Sequence, residues 1–178
     1  QGKMLLTRPK MIVLTNVAED HLDYYKDLQD IKNAFIEYVK SLPKDGILIF
    51  NADDHNTVEV VHHASCHKFS FGIHHYADLQ AMNIRSRITD HGSRIDFDMH
   101  YDDENIGTFE MQVPGSFNIS NALGASLAAI KLGVKSEVIR KVLKNFVGTW
   151  RRFETVGKLE NATVVSDYGH HPAGVSAT

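Results

Sequence analysis

Residues 11–16, MIVLTN, open with an unbroken apolar run, which predicts a short strand buried on both faces, as in a parallel sheet. Beyond an acidic loop, Leu28, Ile31, Phe35, Tyr38, Val39 and Leu42 recur at helical spacing, and Pro43 with Gly46 predicts the end of that helix. GILIFN at 46–51 is a second buried run, closed by Ala-Asp-Asp; VEVVHHA predicts a short helix and HKFSFG, at 67–72, a third strand. This alternation predicts the α/β class, with a doubly wound, largely parallel sheet.

From about 82 to 113 the texture changes. MNIRSRITDHGSRIDFDMHY alternates apolar and polar residues around a His-Gly-Ser turn, and GTFEMQV follows a polar Asp-Asp-Glu-Asn turn. Three alternating strands predict a small antiparallel meander with one wet face, expected as a separate sheet, inserted or appended. SNALGASLAAIKLG then carries Leu123, Leu127 and Ile130 on one helical stripe, with Gly133 as its stop. SEVIRKVLKNF is expected to start at a Ser136 cap and to bury Ile139, Val142, Leu143 and Phe146. VGTWRRF reads as a connector, and ETVGKLENATVVSDYGHHP as a hairpin leading into a new strand. A boundary near Gly148 divides the chain into a partial domain, 1–148, and a linker with the start of another, 149–178.

Composition narrows the function classes. A hydrophobic fraction of 43% with 23% charged residues is that of an ordinary soluble domain, and a net charge of −3 gives no basic face for nucleic acid. The lone Cys66 excludes an internal disulfide and suits a reducing cytoplasm. No apolar run approaches the roughly 20 residues of a membrane span, and no secretory leader is read at the start. The eleven His are scattered and read as surface usage rather than as a metal cluster. Both ends read as interrupted, so the chain is expected to be a piece of a longer protein.

Four stretches carry candidate chemistry. Glu19, Asp20, His21 and Asp23 crowd the exit of the first strand, where α/β sheets bind ligands. An Asp-His pair there can hold a divalent cation with nucleotide phosphates, although acidic residues also suit a helix N-terminal turn. In PGSFNISNALGA, Asn118 and Asn121 share one face of a helix start and offer the donors and acceptors an adenine edge requires; one of them also suits a plain helix cap. Arg151 and Arg152 follow a flexible Gly and suit either a clamp on a transferring phosphoryl group or a solvated basic connector. In VVSDYGHHP, Asp167 at a strand end can accept from ribose hydroxyls and Tyr168 can pack on a base, while His170 and His171 mark an exposed turn before Pro172; a strand followed by a polar turn accounts for the same residues.

Taken in order, TNVAEDHLD, FNADD, PGSFNISNALGA, GTWRRFE and DYGHHP resemble successive signatures of the Mur ligase family of peptidoglycan synthesis, over essentially the whole chain. DHLDYY, RRFE and DYGHHP are most similar to the branch that joins L-alanine to UDP-N-acetylmuramate. The resemblance implies a central ATP-binding domain in 1–148 and the beginning of a C-terminal ligase domain after it. It also implies ATP-dependent amide formation through an acyl phosphate, with ATP and Mg2+ as cofactors. By the same resemblance His21 would bind magnesium, Asn118 and Asn121 the nucleotide, Arg152 the γ-phosphate and Asp167 the ribose, with His170 and His171 facing the cleft between domains. Three departures stand out: no G-x-x-x-x-G-K-[ST] phosphate loop is present, Lys32 is out of register with a carbamylated lysine of several relatives, and Ala173-Gly174 replaces an acidic residue after HHP. The chain by itself is therefore expected not to turn over ATP. The rival readings are the sister ligase that attaches recycled tripeptide, and a non-catalytic nucleotide- or metal-binding module using the His pairs at 62–63, 74–75 and 170–171.

Overall fold

The computed structural model describes residues 3–89, 92–152, 154–160, 162–169 and 175. After a 3-10 turn at Lys3–Leu6, the elements run β1 (Met11–Leu14), α1 (Leu28–Lys40), β2 (Ile47–Asn51), α2 (His55–Val61), β3 (His67–Gly72), β4 (Leu79–Thr89), β5 (Gly92–Tyr101) and β6 (Glu104–Met111). The chain continues through α3 (Ser116–Lys131), α4 (Ser136–Asn145), β7 (Glu154–Leu159) and β8 (Ala162–Ser166). β1, β2 and β3 pair in parallel, in the register Leu14–Phe50 and Phe50–Ser70.

Each crossover helix starts at an aspartate. Asp27 accepts the N–H of Asp30 at the head of α1, and Asp54 accepts that of Thr57 at the head of α2. The two helices cover one face of the sheet, burying Ile31, Val39, Val60 and Val61 against Ile12, Leu14 and Leu48. Successive strand residues point to opposite faces, so Ile49 joins the other core instead, with Phe71, Phe97, Phe109, Leu123 and Leu127 under α3 and α4. Helices on both faces are what the doubly wound expectation required. α3 lies close to the strands at Gly124, where a Cβ would stand 3.1 Å from the Phe71 ring and 3.2 Å from a Val13 methyl. It ends in a Schellman turn, with Gly133 at φ +82 and the Val134 N–H bonded to Ala129 O.

Several expectations need correction. The meander is no separate sheet: β4 pairs in parallel with β3 through Phe71–Leu79 and Gly72–Gln80, which gives one six-stranded sheet ordered β1 to β6. The joint is held by Asp78, whose carboxylate accepts from the Ser70 N–H at 2.6 Å and hydroxyl at 2.8 Å while its own N–H bonds the same hydroxyl. The β5–β6 turn is shorter than read: only Asp102 and Asp103 form it, both at positive φ, and Glu104 already belongs to β6. Ser136 is the first helical residue of α4; the cap is Lys135, with no side-chain hydrogen bond. Ile139 and Leu143 of that helix are buried, whereas Val142 and Phe146 are exposed. β7 and β8 form the expected hairpin, a two-stranded sheet of their own.

Candidate functional site

Parallel strands deliver their exits to one edge of the sheet, and a cleft of about 1290 Å³ lies there. It is lined by residues 15–16 and 18–21 after β1, Asn51 and Asp53 after β2, Ile73 and His74 after β3, the first turns of α3, and the connector beyond α4. One wall is apolar and includes Phe117, Val142 and Phe146, which explains why two residues of the predicted buried face of α4 are open.

His21, Asn118, Asn121, Arg152 and Asp167 all line this cleft. His21 sits at φ +53, an uncommon conformation for a side-chain-bearing residue. Two features hold it there: its N–H donates to Asp20 Oδ1 at 2.7 Å, and its carbonyl accepts from the Tyr24 and Tyr25 N–H groups. Glu19 and Asp20 line the cleft beside it. An imidazole with adjacent carboxylates suits a divalent cation, but among the described residues no group of three or more His, Cys, Asp or Glu is placed to hold a metal ion. This chain's donor set therefore fits the cation only in part.

At α3 neither asparagine caps the helix. The cap is Gly115, at φ +99, without a side-chain hydrogen bond. Asn118 instead closes the Pro-Gly turn from inside, donating from Nδ2 to Pro114 O at 2.6 Å, and Asn121 lies one turn further along. The positive end of a 16-residue helix thus opens on the cleft with no acidic residue in its first turn, an arrangement that favours an anionic ligand.

The connector is folded onto the exit of β8. Arg151, at φ +59, donates its N–H to Glu154 Oε2 at 2.9 Å and accepts the Tyr168 N–H on its carbonyl at 2.8 Å. The Arg152 guanidinium lies 5.7 Å from the centre of the Tyr168 ring. Asp167 accepts the Gly169 N–H at 2.5 Å. Tyr168 itself does not line the cleft, and His170 and His171 lie outside the described residues. Lys32 does not line the cleft: its ammonium pairs with Glu59 at 2.6 Å between α1 and α2, and that hydrogen bond holds the Glu59 carboxyl below its usual range.

Sequence reading passed over Asp53. Its carboxylate lines the cleft and accepts from the N–H groups of Ile73 at 2.6 Å, His74 at 3.0 Å and His75 at 2.8 Å, with Nδ1 of His75 at 3.1 Å. Burial pushes this carboxyl up, but the hydrogen bonds from Ile73, His75 and His74 together outweigh it and hold the group below its ordinary value. No local pattern announces this role, because the partners lie 20 to 22 residues downstream.

Among known proteins, a family profile described as the Mur ligase middle domain matches residues 2–129. The UDP-N-acetylmuramate–L-alanine ligase of Clostridium novyi (strain NT) is 41% identical over 169 residues, which cover 95% of this chain and 36% of that protein. The chain thus spans about a third of that relative's length. Of solved structures, MurF from Acinetobacter baumannii superposes with a TM-score of 0.84 at 24% identity, over 98% of this chain and 37% of that one. The UDP-N-acetylmuramate–alanine ligase from Thermotoga maritima gives 0.80 at 20%, over 99% and 39%. At such identities the two structures speak for the fold alone.

Proposed function

From the premise that this chain belongs to the Mur ligase family, we propose that it forms the nucleotide side of the active cleft in a UDP-N-acetylmuramate–L-alanine ligase. The longer protein would join L-alanine to UDP-N-acetylmuramate in the cytoplasm, in peptidoglycan synthesis, at the expense of ATP. The observation that carries this reading is the convergence of His21, Asn118, Asn121, Arg152 and Asp167 on one cleft from distant parts of the chain. The choice of L-alanine rests on the likeness to the Clostridium novyi enzyme along nearly the whole chain.

In this reading Asn118 and Asn121 hold the nucleotide, Asn121 nearest the adenine, and Asp167 accepts from the ribose. The open N-terminus of α3 favours the phosphates, and Arg152 places a fixed cation where charge develops during phosphoryl transfer. His21, with Asp20 and Glu19 beside it, would hold magnesium together with groups outside this chain, and the ion would supply charge neutralisation at the phosphoryl oxygens. No Walker-type phosphate loop occurs in the sequence, so the longer protein supplies it. Residues 149–178 are the linker and first strands of the next domain, hinged near Gly148, which takes φ +100. No helix among the described residues is long and apolar enough to cross a membrane.

The test is phosphate release by the full-length gene product with ATP, Mg2+ and UDP-N-acetylmuramate. Release that depends on L-alanine supports the reading. Release with tripeptide alone moves the protein to the recycling branch, and no release with either overturns the catalytic reading.

A further inference from the structure

The loop that carries His21 leaves β1 without regular structure, yet its first residues are gripped from one side. Asn51 Nδ2 donates to Thr15 O at 3.0 Å. Val17 donates its N–H to Asp54 Oδ1 at 3.2 Å and accepts from Asn56 Nδ2 on its carbonyl at 2.8 Å. All three grips come from residues 51–56, the exit of the neighbouring strand. The Val17 side chain is 1% exposed and packs into the core beneath α1 and α2. Both backbone groups and the side chain of Val17 are thus fixed, four residues before His21.

We propose that Asn56 is a positioning residue for His21, acting through Val17 to set where the imidazole stands in the cleft; this rests on the reading of His21 as a magnesium ligand. Four residues are a short tether, so an anchored Val17 confines the arc His21 can sweep, and a released one widens it. Ligands held loosely bind metal less tightly, because the ordering then falls due on binding. Asp54 contributes to the same grip, but it also caps α2 through the Thr57 N–H at 2.7 Å, so its removal would confound helix and loop. Asn56 is the cleaner probe: its amide reaches Val17 from the first turn of α2, and its loss leaves the Asp54 cap intact.

The experiment titrates Mn2+ into the full-length protein by water-proton relaxation, with a non-hydrolysable ATP analogue present. Asn56→Ala, His21→Ala and the double variant are compared with the parent. Asn56→Ala is expected to weaken Mn2+ binding by at least about fivefold, to add no further loss in the His21→Ala background, and to leave the KM for L-alanine unchanged. Unaltered Mn2+ affinity in Asn56→Ala, or an equal further loss in the His21→Ala background, overturns the positioning role. His21→Ala binding Mn2+ like the parent overturns the magnesium reading itself, and that single variant tells the two failures apart. If Asn56→Ala does not fold, the uncharged, similarly sized Asn56→Leu, which removes the donor without adding a charge, is held to the same expectations.

Discussion

Replacing Asp53 by Asn tests how the cleft wall is held. The Asp53 side chain is 15% exposed and takes three backbone N–H groups and one imidazole nitrogen. Asparagine keeps the shape but turns one oxygen into an NH2 that faces donors. A hydrogen bond to a charged group contributes about 1.5–3 kcal/mol. The remaining amide oxygen keeps part of the set, and water reaches the exposed His74 and His75. The net loss is therefore near that of one charged bond, about 2 kcal/mol, or roughly 4–8 °C in Tm for a chain of this size. The dependence on pH gives the sharper check. The folded pKa lies below the ordinary value of 3.8, so the carboxylate stabilises the fold fully well above pH 3.8 and loses that contribution as pH falls through the folded value. Thermal unfolding followed by circular dichroism, at pH 7 and in steps down to about pH 3, should show a gap between the two proteins that narrows at the acid end. A gap below about 1 °C at pH 7, or one as wide at pH 3 as at pH 7, would refute the account.

In the full-length protein, Arg152→Ala should lower kcat by at least about tenfold, which corresponds to roughly 1.4 kcal/mol of transition-state stabilisation; near-normal turnover in the phosphate-release assay would remove the residue from that role. Asn121→Ala should raise the KM for ATP more than it lowers kcat, and an unchanged KM would count against the adenine contact. Gly124→Val should cost about 1–3 kcal/mol by overpacking, since a Cβ there would already stand 3.1 Å from Phe71 and 3.2 Å from Val13. An unchanged Tm would mean that α3 can withdraw from the sheet at no cost.

The first three strands and α1 were legible because buried parallel strands read as continuous apolar runs and a one-sided helix as a 3.6-residue period. What periodicity does not carry is which sheet a strand joins. β4 reads the same whether it begins a separate meander or extends the main sheet, and only two residue pairs, Phe71–Leu79 and Gly72–Gln80, decide the matter. Periodicity likewise identifies a face without saying what covers it. Val142 and Phe146 fall on the apolar stripe of α4, yet they stand exposed at the cleft while Ile139 and Leu143 are buried. At the cap of α4, Ser136 is one residue too late: Lys135 has the extended backbone of a cap, so the serine lies inside the helix.

The site was legible where short motifs lie at strand exits and helix starts, and illegible where side chains act across the fold. His21, Asn118 and Asn121 stand out locally; Asp53 and Asn56 do not, for their partners are 22 and 39 residues away. Topology explains why such residues collect after β2. It lies between two parallel neighbours, in register with Leu14 on one side and Ser70 on the other, so from its exit both the loop after β1 and the loop after β3 can be reached. Asn51, Asp54 and Asn56 bind the loop on the β1 side, and Asp53 binds the loop after β3. A run as polar as Asn-Ala-Asp-Asp-His-Asn at the exit of an otherwise apolar central strand is thus what two irregular loops require. Their backbone groups must find partners, and the regular ladder that would supply them has ended.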